Sequence, residues 1–266
     1  MINLGDNKLH SYHQNTVPGQ FDIPSGCNLT HNIVDSIYPD FTFNRNNNII
    51  LTPLNSSTHM INDQVLKKFN PEIQSCTYFS SDSVLEDEEN EVNNLSTEFL
   101  NSITPGGLPL HKLGLKVASP IILLRNIDSK NGFCNGTGLT VTYLGDRCIE
   151  AEIISGSTNF VGNRVLIPRI KLMPSDSLAP FKFQRIQFPV RLAYCMTINK
   201  SQGQTYDKVG IHLPEPCFSH GQRYVAFSRA RCFEDISLQI LNSSKQFMTD
   251  SMSHLITMNV VYNIFS

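Results

Sequence analysis

The chain has 266 residues, 40% of them hydrophobic, with 16 Phe, 7 Cys and a formal net charge of −2. That is enough apolar material for one large core or two smaller ones. No apolar run reaches the ~18 residues of a membrane span, the first residues, MINLGDNKLHSYHQ, lack a secretory pattern, and cysteines of odd count and irregular spacing, without CxxC, argue against a disulfide framework or a zinc site and for an intracellular chain.

The charge is unevenly spread. Residues 1–104 carry 4 Lys/Arg against 13 Asp/Glu, a balance of −9, and residues 105–205 carry 12 against 5, a balance of +7. A basic middle segment suits a nucleic-acid track, and ordinary surface scatter is the alternative.

In chain order, residues 1–30 read as an extended, turn-rich lead-in, and Asn32–Ile37 as a short helix closed by Tyr38-Pro39-Asp40. Ile49–Asn55, IILTPLN, reads as the first strand. Ser56 or Ser57 is placed to cap the helix after it, which runs to about Lys68 with Met60, Ile61, Val65 and Leu66 on its apolar face. Tyr78–Val84 is a second strand, and Glu86–Glu91, EDEENE, a solvated acidic loop without metal-ligand spacing. From Pro105 the character changes. Lys116–Arg125 (interrupted at Pro120), Leu139–Leu144, Ile149–Ile154, Arg164–Ile170 and Phe181–Phe188 are short strands separated by Gly, Pro and Asn turns. That spacing predicts a small antiparallel barrel inserted into an α/β domain.

Val190–Thr205, VRLAYCMTINKSQGQT, joins a buried strand ending at Tyr194 to a turn of hydroxyls, amides, one lysine and a glycine. Ligands of open parallel sheets bind outside the carboxyl ends of strands, and such a turn suits an anion. A plain polar loop is the alternative. Lys208–Leu213 is a further strand, Ser219–Ala230 a helix carrying Arg223 and Arg229 with Arg231 just beyond, Ile236–Ile240 a closing strand, and Ser244–Ile256 a helical tail.

TINKSQGQT at 197–205 and YVAFSRA at 224–230 resemble motifs V and VI of the petite-integration-frequency family of ATP-dependent DNA helicases, superfamily 1B, in its Helitron-like version. GLPLHKLGLKVASPIILLRN at 107–126 and NGFCNGT at 131–137 resemble that family's inserted barrel, with Ala118 where a glycine is expected. IILTPLNSSTHMIN at 49–62 resembles motif IV. The resemblance implies a RecA-like parallel sheet with helices on both faces, interrupted by a small antiparallel β-barrel. The implied division is a lead-in and first motor segment at 1–95, the insert at 96–187, and the rest of the motor domain at 188–266.

The resemblance also implies the chemistry: the C-terminal motor half of a 5′-to-3′ DNA helicase. Arg229 matches the arginine finger, and Gly203 and Gln204 match positions facing the nucleotide. Asn55, Thr197, Lys200, Ser201 and Gln202 match positions facing single-stranded DNA, and His111 and Lys116 of the insert extend the same track, with a solvated charge as the alternative for both. No G-x-x-x-x-G-K-[ST] occurs in these residues, so ATP and Mg²⁺ are expected to be held mainly by an N-terminal P-loop motor domain. Family resemblance further implies a nuclear location, and the lack of an apolar run of span length argues against a membrane partner. The alternative is a transposon-derived remnant that grips single strands without ATPase activity.

Overall fold

The computed structural model describes residues 20–22, 24, 26–39, 47–85, 95–104, 106–156, 159–174, 181–219, 221–241, 247–248 and 255–258. The chain divides into two compact units, Met1–Phe69 with Tyr194–Ser266, and Asn70–Ala193.

The first unit is built on a five-stranded parallel sheet. Its order is Cys195–Thr197, Asn48–Thr52, Lys208–Leu213, Ile236–Ile240, Asn28–Leu29. Ile49, Ile50, Leu51 and Thr52 are all buried, as expected of a parallel strand covered on both faces. The helix Ile33–Ile37 starts at Asn32, whose side chain accepts from the Asp35 amide at 3.3 Å. It lies so close to the sheet that a Cβ on Gly210 would come within 2.9 Å of the Ile33 and Ile37 side chains. Glycine there permits the approach.

Helix Asn55–Lys68 follows the 48–52 strand. The expected serine cap is absent: Leu54 is the cap residue, without a side-chain bond, and Ser57 is buried. Asn62 anchors the helix by bonding both the amide (3.0 Å) and the carbonyl (2.8 Å) of Cys195. The chain passes from 28–29 to 48–52 to 195–197 in one direction across the sheet and from 208–213 to 236–240 in the other. Right-handed crossovers therefore put helices 33–37 and 55–68 on one face and the helix Gln222–Phe227 on the other.

The expected strand ending at Tyr194 is two strands. Val190–Leu192 pairs antiparallel with Pro120–Leu123 in the second unit, and Cys195–Thr197 pairs parallel with the 48–52 strand. The continuous apolar run conceals the change of sheet at Ala193-Tyr194. Phe69, where the chain leaves the first unit, and Tyr194, where it returns, have ring centroids 5.4 Å apart. The expected helical tail is also corrected: Phe247–Met248 and Leu255–Met258 are strands, antiparallel to each other, and 255–258 also pairs with Gln20–Asp22. LITM is a sequence of strand formers.

The second unit is antiparallel. A five-stranded sheet runs Arg164–Pro168, Cys148–Ile153, Gly138–Leu144, Pro120–Leu123, Val190–Leu192; Ile170–Leu172, Lys182–Gln187 and Ser81–Leu85 form a second sheet, and Cys76–Phe79 pairs with Lys112–Leu115. The expected strand 78–84 breaks at Ser80 into partners of two different sheets, both within this unit, which begins at Asn70. Leu100, Leu108, Leu172 and Phe183 form part of its core.

A buried ion pair crosses that core. The Arg185 guanidinium donates to Asp82 through Nε (2.9 Å) and Nη2 (2.6 Å), and to the carbonyls of Pro109, Leu100 and Ile103. Both side chains are 0% exposed. Bidentate geometry and the extra acceptors are what make such a burial tolerable.

His212 is buried in the 208–213 strand with Nδ1 2.9 Å from Gln239 Oε1. The Gln239 amide nitrogen donates to the His31 carbonyl. A carbonyl can only accept, so Gln239 turns its oxygen to His212, which must be protonated on Nδ1. Nε2 is then a buried lone pair without a hydrogen-bond partner among the described residues. Burial lowers the His212 pKa, and the bond to Gln239 offsets this only in part. Above the usual value of about 6.5 both folded and unfolded forms are neutral. Below it the unfolded chain takes up a proton that the fold resists, so stability falls as pH drops through 6.5 toward the folded value. Urea unfolding midpoints should therefore decline from pH 7.5 to 5.5, with a smaller decline in His212→Gln; equal slopes in both would contradict this assignment.

Candidate functional site

The polar turn at the carboxyl end of the 195–197 strand is the candidate site. Thr197 ends that strand directly opposite Thr52, the last residue of the neighbouring strand. Thr52 is 0% exposed, and its Oγ1 has no hydrogen-bond partner among the described residues. Asn55 and Ser56 open the next helix, exposed and without a side-chain cap, so the first helical N–H groups stay available to an outside acceptor.

From Thr197 the chain makes a 3-10 turn, Ile198–Ser201, that puts Asn199 and Lys200 on the surface. Gln202 and Gly203 are exposed; Gly203 has φ +82° with nothing within 4 Å of a Cβ position. Glycine is therefore used for backbone conformation, and the space above it is open.

Arg229 closes this turn from behind. Its Nη1 donates to the carbonyls of Gln204 (2.7 Å) and Ser201 (3.2 Å), its Nε to Val225 (2.9 Å) and its Nη2 to Ser228 Oγ (2.8 Å). Four of the five guanidinium N–H groups thus meet oxygens of the chain itself. The backbone adds a second tie, Tyr206 N–H to the Arg229 carbonyl at 2.9 Å, with a parallel bridge between Tyr206 and Ala230. The Tyr206 hydroxyl also donates to Gln204 Oε1. Arg229 is half-buried, and its guanidinium bonds the carbonyls of Ser201 and Gln204, on either side of the Gln202-Gly203 pair.

The other expected residues separate into surface and interior. Asn55, Lys200 and Gln202 are exposed and Thr197 and Gln204 half-exposed. Ser201, expected to face DNA, is instead fully buried with its hydroxyl donating to the Ile198 carbonyl at 2.7 Å. Lys116, expected along the track, is only 5% exposed and reaches the Asn70 carbonyl at 3.3 Å. The reason is local: the turn after it has Ala118 at φ +68° and Ser119 Oγ accepting from the Lys116 amide, which directs the lysine inward. His111 is part-exposed, with Nδ1 2.8 Å from Ser80 Oγ and 3.9 Å from Asp82. Arg223 is 1% exposed, its pKa pushed down by burial to about 10, and so is part of the interior. Arg231 lies 3.8 Å from Asp207.

Gln222 was not singled out by the sequence. It is 2% exposed, donates to Asn199 Oδ1 at 3.4 Å and accepts from the Phe218 amide at 3.3 Å. It links the start of the arginine-bearing helix to the 3-10 turn. A glutamine at the first position of a short helix has no sequence signal that separates this role from a surface one.

The family described as DNA helicase Pif1, 2B domain, matches residues 98–144. The ATP-dependent DNA helicase PIF1 of Danio rerio is 33% identical over 129 residues, 47% of this chain and 19% of that protein. Among solved structures, Pif1 helicases at forked duplex DNA superpose with a TM-score of 0.54 at 28% identity, covering 72% of this chain and 39% of theirs. A Bacteroides Pif1 in complex with ADP-AlF3 and single-stranded DNA gives 0.51 at 26% identity, with 72% and 40% covered. This chain therefore spans about a fifth of the length of the curated relative and about two fifths of the solved chains.

The contacts of Arg229 predict a local effect of its removal. Losing hydrogen bonds to two carbonyls, each worth about 1 kcal/mol, frees the turn without unfolding the sheet. Limited trypsin cleavage after the exposed Lys200 should be roughly thirtyfold faster in Arg229→Ala, with the thermal midpoint lowered by only a few degrees. Equal cleavage rates would show that Arg229 does not support the turn.

Proposed function

We propose, from the premise that this chain belongs with the Pif1-type helicases of superfamily 1B, that it is the C-terminal motor part of an ATP-dependent 5′-to-3′ DNA helicase. ATP and its Mg²⁺ are held mainly by a P-loop motor domain supplied in cis or in trans. This chain contributes a grip on single-stranded DNA and one arginine.

The observation that carries the reading is the convergence of Arg229 on the turn that holds Gly203 and Gln204. A guanidinium suits a developing phosphoryl charge because it is planar, permanently charged and bridges two oxygens. Among the described residues the Arg229 guanidinium meets three carbonyls and the Ser228 hydroxyl, all neutral acceptors. Phosphate oxygens offer stronger, charge-assisted bonds. When a P-loop motor domain closes on this chain with ATP bound, the guanidinium would exchange the Ser201 and Gln204 carbonyls for the triphosphate, so that the finger and the turn change together.

Asn55, Thr197, Lys200 and Gln202 form the DNA grip. An amide pair, a hydroxyl and one ammonium beside exposed helical N–H groups hold phosphates without reading bases. That is the requirement of a motor that moves on any sequence. The buried Ser201 and Lys116 serve the turn and the barrel.

A second reading, a single-strand-binding remnant without ATPase activity, draws on the guanidinium being occupied by the chain's own oxygens. The two part on one experiment. Joined to a P-loop half from a related helicase, this chain should restore DNA-stimulated ATP hydrolysis, and Arg229→Ala should lower it by roughly 10³-fold or more. Oligonucleotide binding with no restored hydrolysis favours the remnant. Strong hydrolysis by this chain alone contradicts both.

A further inference from the structure

In the second unit, the pair Cys76–Phe79 with Lys112–Leu115 sets Phe79 directly opposite Lys112. Strand alternation sends Tyr78 into the core, 7% exposed, and leaves Phe79 outside, 56% exposed. A solvent-facing phenyl ring contributes little to the core. Its surroundings give it a different use.

Nitrogen-bearing side chains surround the ring. Lys112, exposed, is its cross-strand partner, a position at which side chains on one face meet. The His111 ring centroid lies 5.6 Å away at an interplanar angle of 53°. Arg169 Nη1 donates to the Phe79 carbonyl at 2.7 Å, and its guanidinium carbon sits 4.9 Å from the centroid of Phe188 and 5.6 Å from that of Tyr78. Stacked on those two buried rings and tied to a carbonyl, Arg169 is held on the Tyr78 side of the strand. Of the acids nearby, Asp82 is already chelated by Arg185, and Asp146 acts on Tyr78, as Arg169 does. What remains is one open aromatic ring with the exposed Lys112 across from it and the His111 ring beside it.

We propose that Phe79 is a stacking platform for a base of single-stranded nucleic acid, with Lys112 taking an adjoining phosphate. The inference rests on the reading of this chain as a single-strand binder and adds to it a site that uses the π-face of a base. Stacking on an aromatic ring tolerates every base, and Lys112 supplies a salt-dependent part of the affinity. An apolar protein partner fits less well, since one ring beside a lysine offers little contiguous apolar area.

The chain contains no tryptophan, so Phe79→Trp carries a single indole at the proposed platform. Titration with an oligothymidylate of about 15 nucleotides should quench its emission saturably, in step with the anisotropy of a labelled oligonucleotide. Inorganic polyphosphate at equal charge should not quench it. Phe79→Ala should bind the oligonucleotide roughly tenfold more weakly with unchanged thermal unfolding, and Lys112→Ala should reduce the slope of log affinity against log salt by about 0.7. Oligonucleotide binding with unaltered indole emission and unaltered Phe79→Ala affinity overturns this inference alone, as does equal quenching by polyphosphate. No oligonucleotide binding by the unaltered chain overturns it together with the function it rests on.

Discussion

The parallel pairing of the 48–52 strand with 195–197 on one side and 208–213 on the other is the constraint on which the candidate site depends. These partners are separated in sequence by the whole of the second unit. The return point is held tightly: the Tyr194 carbonyl accepts from the Ile50 amide at 3.0 Å and from the Tyr38 hydroxyl at 2.8 Å. One register then follows, Cys195 against Ile50 and Thr197 against Thr52, and with it the placing of Lys200 and Gly203 beyond the sheet edge. A slip of one residue would turn every side chain of the short strand over. Asn62, bonding both backbone groups of Cys195, opposes that slip from the helix above.

The parallel sheet, the antiparallel insertion and most strand positions were legible because burial imposes period and turn chemistry imposes breaks. IILT and KVGIHL read as buried strands and are. What was not legible has physical causes in each case. The run 190–197 has no polar break where the chain changes sheets, so one strand was expected where two exist. Ser56 and Ser57 look like caps, yet the helix begins earlier and turns Ser57 inward. For the site, residue types indicated an anion-binding turn, but type does not report orientation. Ser201 and Lys116 carry the right groups and point into the protein, whereas Gln222 carries an unremarkable amide and sits at a junction.

Three arginines show how environment divides one chemistry. Arg185 meets a carboxylate in a dry core and is a structural charge. Arg223 is 1% exposed, and burial lowers its affinity for a proton. Arg229 is half-buried and bound to neutral carbonyls, acceptors weak enough to be exchanged. Only the last combines a fixed position with a charge still able to act on something else.

The ring contact between Phe69 and Tyr194 has a bearing on how such a chain can arise. Where departure and arrival are neighbours, the excursion between them need satisfy only one demand, that its own two ends meet. Loop-closure entropy rises slowly with length, so a short connection or a complete barrel can be spliced at that junction at comparable cost to the host. The seam is thus a place where the length of the second unit can change while the parallel sheet keeps its register.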